Sequence, residues 1–246
     1  MSQVKAVILA AGKGTRLHSK EHNQPKVLRE ANGQPLLHYV LSALSFLPEE
    51  DTVLVVGYMR DQVMDRFPDY PVAVQEPQKG TGHAVQCAEK YLKDFTGTVL
   101  VCCGDMPLLK KETYEALLRE HESNNCVCTF LTGTSDLELP YGRILRDKDG
   151  TFIRVVEDRD CTPEQLEIQE LNAGVYAFDC QELLSCLKLL QYNNAQGELY
   201  LTDVPELMRE RGGKIAPCCM ELGAQIIGVN TPEQLQMVED LLVGGQ

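Results

Sequence analysis

An apolar run, Val4 to Leu9, feeds into Ala10-Ala11-Gly12-Lys13-Gly14-Thr15-Arg16, and Pro25-Lys26 follows at a short distance. The run reads as a buried strand. The turn after it must bend around two glycines while carrying two cations. Gly12 and Gly14 have no side chain to keep backbone N–H groups away from an anion. Lys13, Arg16 and Lys26 supply countercharge. A strand that opens into such a turn suggests a loop for a polyphosphate.

Spacing narrows the kind of loop. A dinucleotide fingerprint needs G-x-G-x-x-G, and its third glycine position is Leu17 here. A P-loop needs G-x-x-x-x-G-K-[ST], and the chain contains no such string. An ordinary strand-to-helix turn has the same glycines but does not need the three cations.

The rest of the N-terminal half repeats the strand–helix rhythm. Val4–Leu9, Thr52–Val56, Val72–Gln75 and Thr98–Cys102 read as strands. Pro35 opens a helix with apolar residues at Leu36, Leu37, Val40, Leu41, Leu44 and Leu47, the 3.6-residue period. Further helices are expected over Arg60–Phe67, Thr81–Leu92, Lys111–Glu122, Asp203–Glu210 and Thr231–Leu242. In the last, Thr231, Pro232 and Gln234 form a capping box. From Cys126 the pattern turns to strands, Thr129–Leu131, Arg143–Arg146, Phe152–Glu157 and Gly174–Phe178, with few helices between them. Asp147-Lys148-Asp149-Gly150 reads as a hairpin turn. The expected fold is α/β: a doubly wound, mostly parallel, Rossmann-like sheet with a small antiparallel subregion. Residues 1–230 form one unit with halves 1–110 and 111–230, and 231–246 form a C-terminal helix and tail.

Composition excludes several functions. No apolar run approaches the roughly 20 residues of a membrane helix, and the N-terminal stretch, which has no long apolar region with a cleavage site, is not expected to be a signal peptide. The net charge of −13 argues against a nucleic-acid-binding face. Residues 1–30 nevertheless hold six cations against two anions, an excess of +4, while the remainder carries −17. That asymmetry concentrates positive potential where a small anion would bind. Of the ten cysteines, Cys102, Cys103, Cys126, Cys128, Cys218 and Cys219 lie in or beside apolar runs, and no C-x-x-C occurs. They read as small buried hydrophobes in a reducing cytoplasm.

These residues carry a resemblance. The N-terminal loop, Gln75 to His83 (Q-E-P-Q-K-G-T-G-H), Gly104-Asp105, Tyr141-Gly142-Arg143, Val156-Glu157, Asn172-Ala173-Gly174, Asn194 to Glu198 with Thr202-Asp203, and Gly228-Val229-Asn230 stand in the order of the sugar-phosphate nucleotidyltransferases. Within that family the chain most resembles the uridyltransferase domain of the enzymes that make UDP-N-acetylglucosamine. The resemblance implies cytoplasmic uridylyl transfer from UTP to N-acetylglucosamine 1-phosphate, a step toward cell-wall precursors. It implies Arg16 and Lys26 as catalytic cations. Leu9, Ala10, Ala11, Gly12, Lys13, Gln75, Gly80 and Thr81 are the implied nucleotide contacts. Gly104, Gly142, Glu157 and Asn172 are the implied sugar contacts, and Asp105 and Asn230 the ligands of Mg²⁺.

The chemistry of these types is consistent with those roles. An Asp at a strand's carboxyl end can hold Mg²⁺, although a turn Asp bonding its own backbone looks the same locally. Gln75 can accept from uracil N3–H, and Thr81 begins a helix whose N–H groups are expected to be free. His83 reads as structural rather than catalytic. Two departures stand out: the His18–Gln24 loop is longer than usual for the family, and Cys103 stands where larger residues are common. The six-residue repeats of a β-helix acetyltransferase domain are absent from the sequence, and a monomer is expected. Two alternatives remain: a sibling enzyme for another sugar 1-phosphate, or a non-catalytic nucleotide-sugar-binding domain.

Overall fold

A computed structural model describes residues 3–17, 19, 21–135 and 139–244. Its backbone is one mixed sheet. The strands are β1 (Val4–Ala10), β4 (Thr52–Val56), β5 (Val72–Val74), β6 (Thr98–Cys103), β7 (Cys128–Gly133), β8 (Arg143–Arg146), β9 (Phe152–Val156), β10 (Leu171–Asp179) and β11 (Ile215–Cys219). A separate short hairpin pairs β2 (Glu30–Ala31) with β3 (Gln34–Pro35). The main order is β11-β7-β10-β6-β1-β4-β5, with β8 and β9 attached to the start of β10. β6, β1, β4 and β5 run parallel, as the strand–helix alternation predicts. β10 is the odd strand, antiparallel to both β6 and β7. It joins the C-terminal strands to the N-terminal ones in a continuous sheet.

Both faces are covered because successive side chains point to opposite sides of a strand. Ala6, Ile8, Leu54, Leu100 and Cys102 meet α1 (Leu36–Ala43), α2 (Arg60–Arg66) and α5 (Lys111–Ser123) on one face. Val7, Val53, Val55, Val99 and Val101 meet α3 (Thr81–Cys87), α4 (Glu89–Leu92), α7 (Cys180–Leu187) and α8 (Val204–Glu210) on the other. The remaining helices are the short α6 (Pro163–Leu166) and α9 (Pro232–Gly244). Val238 of α9 packs with Leu17, Ala31, Leu36, Ile227 and Val229, so the last helix is pinned to the N-terminal loop.

Several expectations need correction. The helix expected over Thr81–Leu92 is two helices, interrupted at Ala88. The C-terminal half is richer in helix than expected, since α7 follows β10 directly. Asp179 caps it by accepting from the N–H groups of Gln181 and Glu182, each at 3.0 Å. β11 was not legible as a strand because Pro217 interrupts it, yet it pairs with β7 on only one side, where proline is tolerated. Among the cysteines, Cys102, Cys126 and Cys128 are buried, but Cys103 and Cys218 are half-buried and Cys219 is exposed. The Asp147–Gly150 turn closes as predicted, with Gly150 N–H on Asp147 O at 3.1 Å and Gly150 at φ +79°.

Candidate active site

A crevice opens beyond the carboxyl ends of β1 and β6, where ligands of open α/β sheets bind. One lobe is lined by Leu9 to Thr15, Lys26, Gln75, Gln78, Gly80, Thr81 and Glu198. The other is lined by Tyr141, Gly142, Glu157, Asn172, Gly174, Tyr176, Thr202 and Asn230. Leu9, Thr81, Cys103 and Asp105 belong to both. Every residue expected to touch nucleotide or sugar lines this crevice, save Gly104, which sits just behind it. Its N–H bonds Leu9 O at 3.0 Å, holding the β6 end against the β1 end.

The charged groups converge at the junction of the lobes. Lys26 Nζ is ion-paired with the Asp105 carboxylate and donates to Asn230 Oδ1 at 3.1 Å. Arg16 reaches the same Asn230 oxygen at 3.4 Å. Asn230 is held in place by its backbone. Val229 N–H bonds Asp105 O at 2.9 Å, and Gln234 Oε1 accepts from the N–H groups of Asn230 (2.8 Å) and Thr231 (3.1 Å). The capping box legible in the sequence therefore also fixes the oxygen donor before it. Tyr141 completes the brace, donating to Ile226 O at 2.9 Å and accepting from Gly228 N–H at 2.7 Å.

The two glycines of the first loop have different uses. A Cβ on Gly12 would meet nothing within 4 Å, so its face is open to a ligand. Gly14 adopts φ +59°, and a Cβ there would lie 2.7 Å from Lys26 Cβ. It packs on the lysine stem rather than on a ligand. The local charge excess is also less focused than expected. Lys13, Arg16 and Lys26 reach the crevice region, but Lys5 pairs with Asp51 at the other end of β1 and Arg29 donates to Leu17 O. Part of the His18–Gln24 loop, His18 and Lys20, lies outside the described residues.

In the nucleotide lobe Gln75 is 3% exposed, and its Nε2 donates to Gly80 O at 2.8 Å. Because an amide nitrogen, not its oxygen, must face that carbonyl, Oε1 is left as the acceptor. The expectation of free N–H groups at the start of α3 is corrected at Gly82, whose N–H bonds Leu199 O at 2.8 Å. Thr81 Oγ1 accepts from Leu201 N–H at 2.9 Å. The close approach permitted by Gly80, at φ +105°, is to the backbone of Leu199.

In the other lobe Asn172 is buried at a β10 bulge where Gly174 takes φ +69°. Its Oδ1 accepts from Gly174 N–H at 3.2 Å, leaving its amide nitrogen as a donor. Glu157 accepts from Thr202 Oγ1 at 2.8 Å. Desolvation pushes the Glu157 carboxyl upward, Thr202 opposes this, and Asp203, Asp160 and Asp158 add to the rise. Sequence reasoning assigned no role to Tyr141, Thr202 or Gln78, and it read Gln234 only as part of the helix cap. Their only signal was position within or beside a motif.

Such a crevice on a doubly wound sheet, cationic at its junction, defines a nucleotide-handling α/β domain. The chain belongs to the MobA-like NTP transferase domain family, whose model matches residues 6–149. It is similar to the bifunctional protein GlmU of Clostridium novyi, 41% identical over 239 residues, which span 96% of this chain and 52% of the relative. The GlmU of Mycolicibacterium vanbaalenii is 43% identical, with 96% and 49% covered. The chain thus spans about half the length of the curated relatives it matches. In fold it resembles a solved structure described as a glucose-1-phosphate thymidylyltransferase of Bacillus anthracis, with TM-score 0.74, 20% identity, and 97% and 95% of the two chains covered. These likenesses bear out the resemblance read from the motifs.

Proposed function

We propose that the protein transfers uridylyl from UTP to N-acetylglucosamine 1-phosphate, releasing pyrophosphate. The observation that carries this reading is the convergence of Asp105, Asn230, Lys26 and Arg16 where the two lobes meet. A donor nucleotide in one lobe and an acceptor sugar phosphate in the other would present their phosphates there. The acceptor's phosphate oxygen attacks the α-phosphorus, the new P–O bond forms, and the bond to the β-phosphate breaks. No protein nucleophile is needed, so positioning and electrostatics carry the catalysis.

Each group has a part in that scheme. Lys26 and Arg16 take up charge on the α-phosphate and on the departing pyrophosphate, with Lys13 at the loop mouth. Gln75 Oε1 accepts from the base, which selects a ring bearing N3–H. Glu157, Asn172 and the Gly142 backbone address the sugar's hydroxyl and amide groups. The oxygens of Asp105 and Asn230 both reach one cationic centre, the Lys26 ammonium, and oxygen donors of this kind suit Mg²⁺. Mg²⁺ held there supplies further countercharge to the phosphates. Ten free cysteines fit a reducing compartment such as the cytoplasm.

Pyrophosphate release from UTP, dTTP and CTP against a panel of sugar 1-phosphates, with and without Mg²⁺, tests the proposal. UTP with N-acetylglucosamine 1-phosphate is expected to be the best pair. Selection of UTP over CTP should reach roughly 10⁴-fold, because cytosine leaves Gln75 Oε1 unpaired. Selection over dTTP, which shows the same edge, should be weaker. Absence of magnesium-dependent pyrophosphate release with the favoured pair refutes the assignment. It would favour a binding domain instead.

A further inference from the structure

The Gln75 amide is held at two points. Its Nε2 donates to Gly80 O at 2.8 Å and lies 3.2 Å from His83 Nδ1. An amide nitrogen carries two hydrogens and no acceptor lone pair, so Nδ1 must be the accepting, unprotonated ring nitrogen. The imidazole proton then sits on Nε2, which faces Cys87 Sγ at 3.8 Å. We propose that His83 is a positioning residue that fixes the polarity of the base-reading amide, keeping Gln75 Oε1 toward the crevice as an acceptor. The inference rests on the base reading proposed above and extends it to a side chain outside the crevice lining.

The local chemistry supports this. Burial, and then the nearby Lys79 ammonium, lower the pKa of His83, which favours the neutral ring this geometry requires. The charged and titratable groups at the ring are Lys79, from the loop ahead of α3, and the Cys87 thiol, one turn along the same helix. Protonation would place an Nδ1–H against the Gln75 amide hydrogens, donor against donor. That conflict is relieved by turning the amide over, which breaks the bond to Gly80 O and presents NH₂ to the base. The turned amide suits an N3 acceptor, as in cytosine, and no longer suits uracil.

The test is the ratio of kcat/KM for UTP to that for CTP, measured from about pH 5 to about pH 8. It compares the wild-type chain with His83→Ala and His83→Asn. An Asn oxygen can take the place of Nδ1 as acceptor but does not titrate. In the wild type the ratio is expected to be constant on the alkaline side and to fall about tenfold on the acid side, below the ordinary histidine pKa. His83→Ala should lower the ratio about tenfold at every pH while retaining turnover with UTP. His83→Asn should keep the alkaline ratio and lose the acid fall. An unchanged ratio in His83→Ala overturns the role of His83 alone. A wild type that uses CTP as well as UTP overturns the base reading and this inference together. Imidazole ¹⁵N shifts in the intact wild-type protein give a readout independent of the variants: a proton on His83 Nδ1 at neutral pH refutes the proposal.

Discussion

The Lys26 ammonium is ion-paired with the Asp105 carboxylate, and the two side chains are 16% and 13% exposed. A group expected to meet phosphate is thus tied to a group expected to meet metal. Each neutralises the other in the free protein, and each must exchange its partner when phosphates and Mg²⁺ arrive. Asp105→Ala should lower turnover on the order of 10²-fold or more, with an unchanged circular dichroism spectrum. Lys26→Ala should also lower turnover, yet bind Mg²⁺ more tightly in titration calorimetry without nucleotide, because Asp105 loses its internal counter-ion. Weaker Mg²⁺ binding by Lys26→Ala would contradict this exchange.

Arg16 is exposed, and its guanidinium approaches Asn230 Oδ1 at 3.4 Å. Its removal should leave the thermal midpoint unchanged. If its charge serves the transition state, Arg16→Ala lowers kcat more than it raises KM for either substrate. A pure KM effect in steady-state kinetics would reassign it to ground-state binding.

Gly12 and Gly14 should separate under substitution. Gly14→Ala places a Cβ 2.5 Å from Ser19 Oγ and 2.7 Å from Lys26 Cβ in a left-handed backbone. It is expected to cost about 1–2 kcal/mol in backbone strain alone, and to displace Lys26. Gly12→Ala meets no protein atom within 4 Å, so it should spare stability and raise KM for the nucleotide. Equal losses of thermal midpoint in the two variants would count against this division of roles.

Asp203 ends the short turn before α8, and its side chain makes no cap hydrogen bond. Burial, followed by Glu206, raises its pKa from 3.8 to about 6. The folded state therefore holds this proton more tightly than the unfolded chain does. The stability it contributes is present below the unfolded value and is lost as pH rises from 3.8 to about 6. Asp203→Asn should raise the thermal midpoint above that window and lose its advantage below it. Scanning calorimetry across the window checks the sign.

The parallel strands, the glycine turn with its cations and the capping box at Thr231 were legible in the sequence, because each is set by residues near one another in the chain. Strand periodicity, turn stereochemistry and cap hydrogen bonds are local properties. The candidate residues were legible too, through the resemblance of their motifs. What they do to one another was not. Lys26 meets Asp105 across 79 positions and Asn230 across 204, so their coupling exists only once β1, β6 and the α9 entry are assembled. The insertion of β10 between β6 and β7 is a pairing of strands far apart in the chain, and no local pattern encodes it. The acceptor polarity of Gln75 and the diversion of Gly82 N–H to Leu199 were decided the same way. A hydrogen-bonding group takes the partner that tertiary packing places within reach.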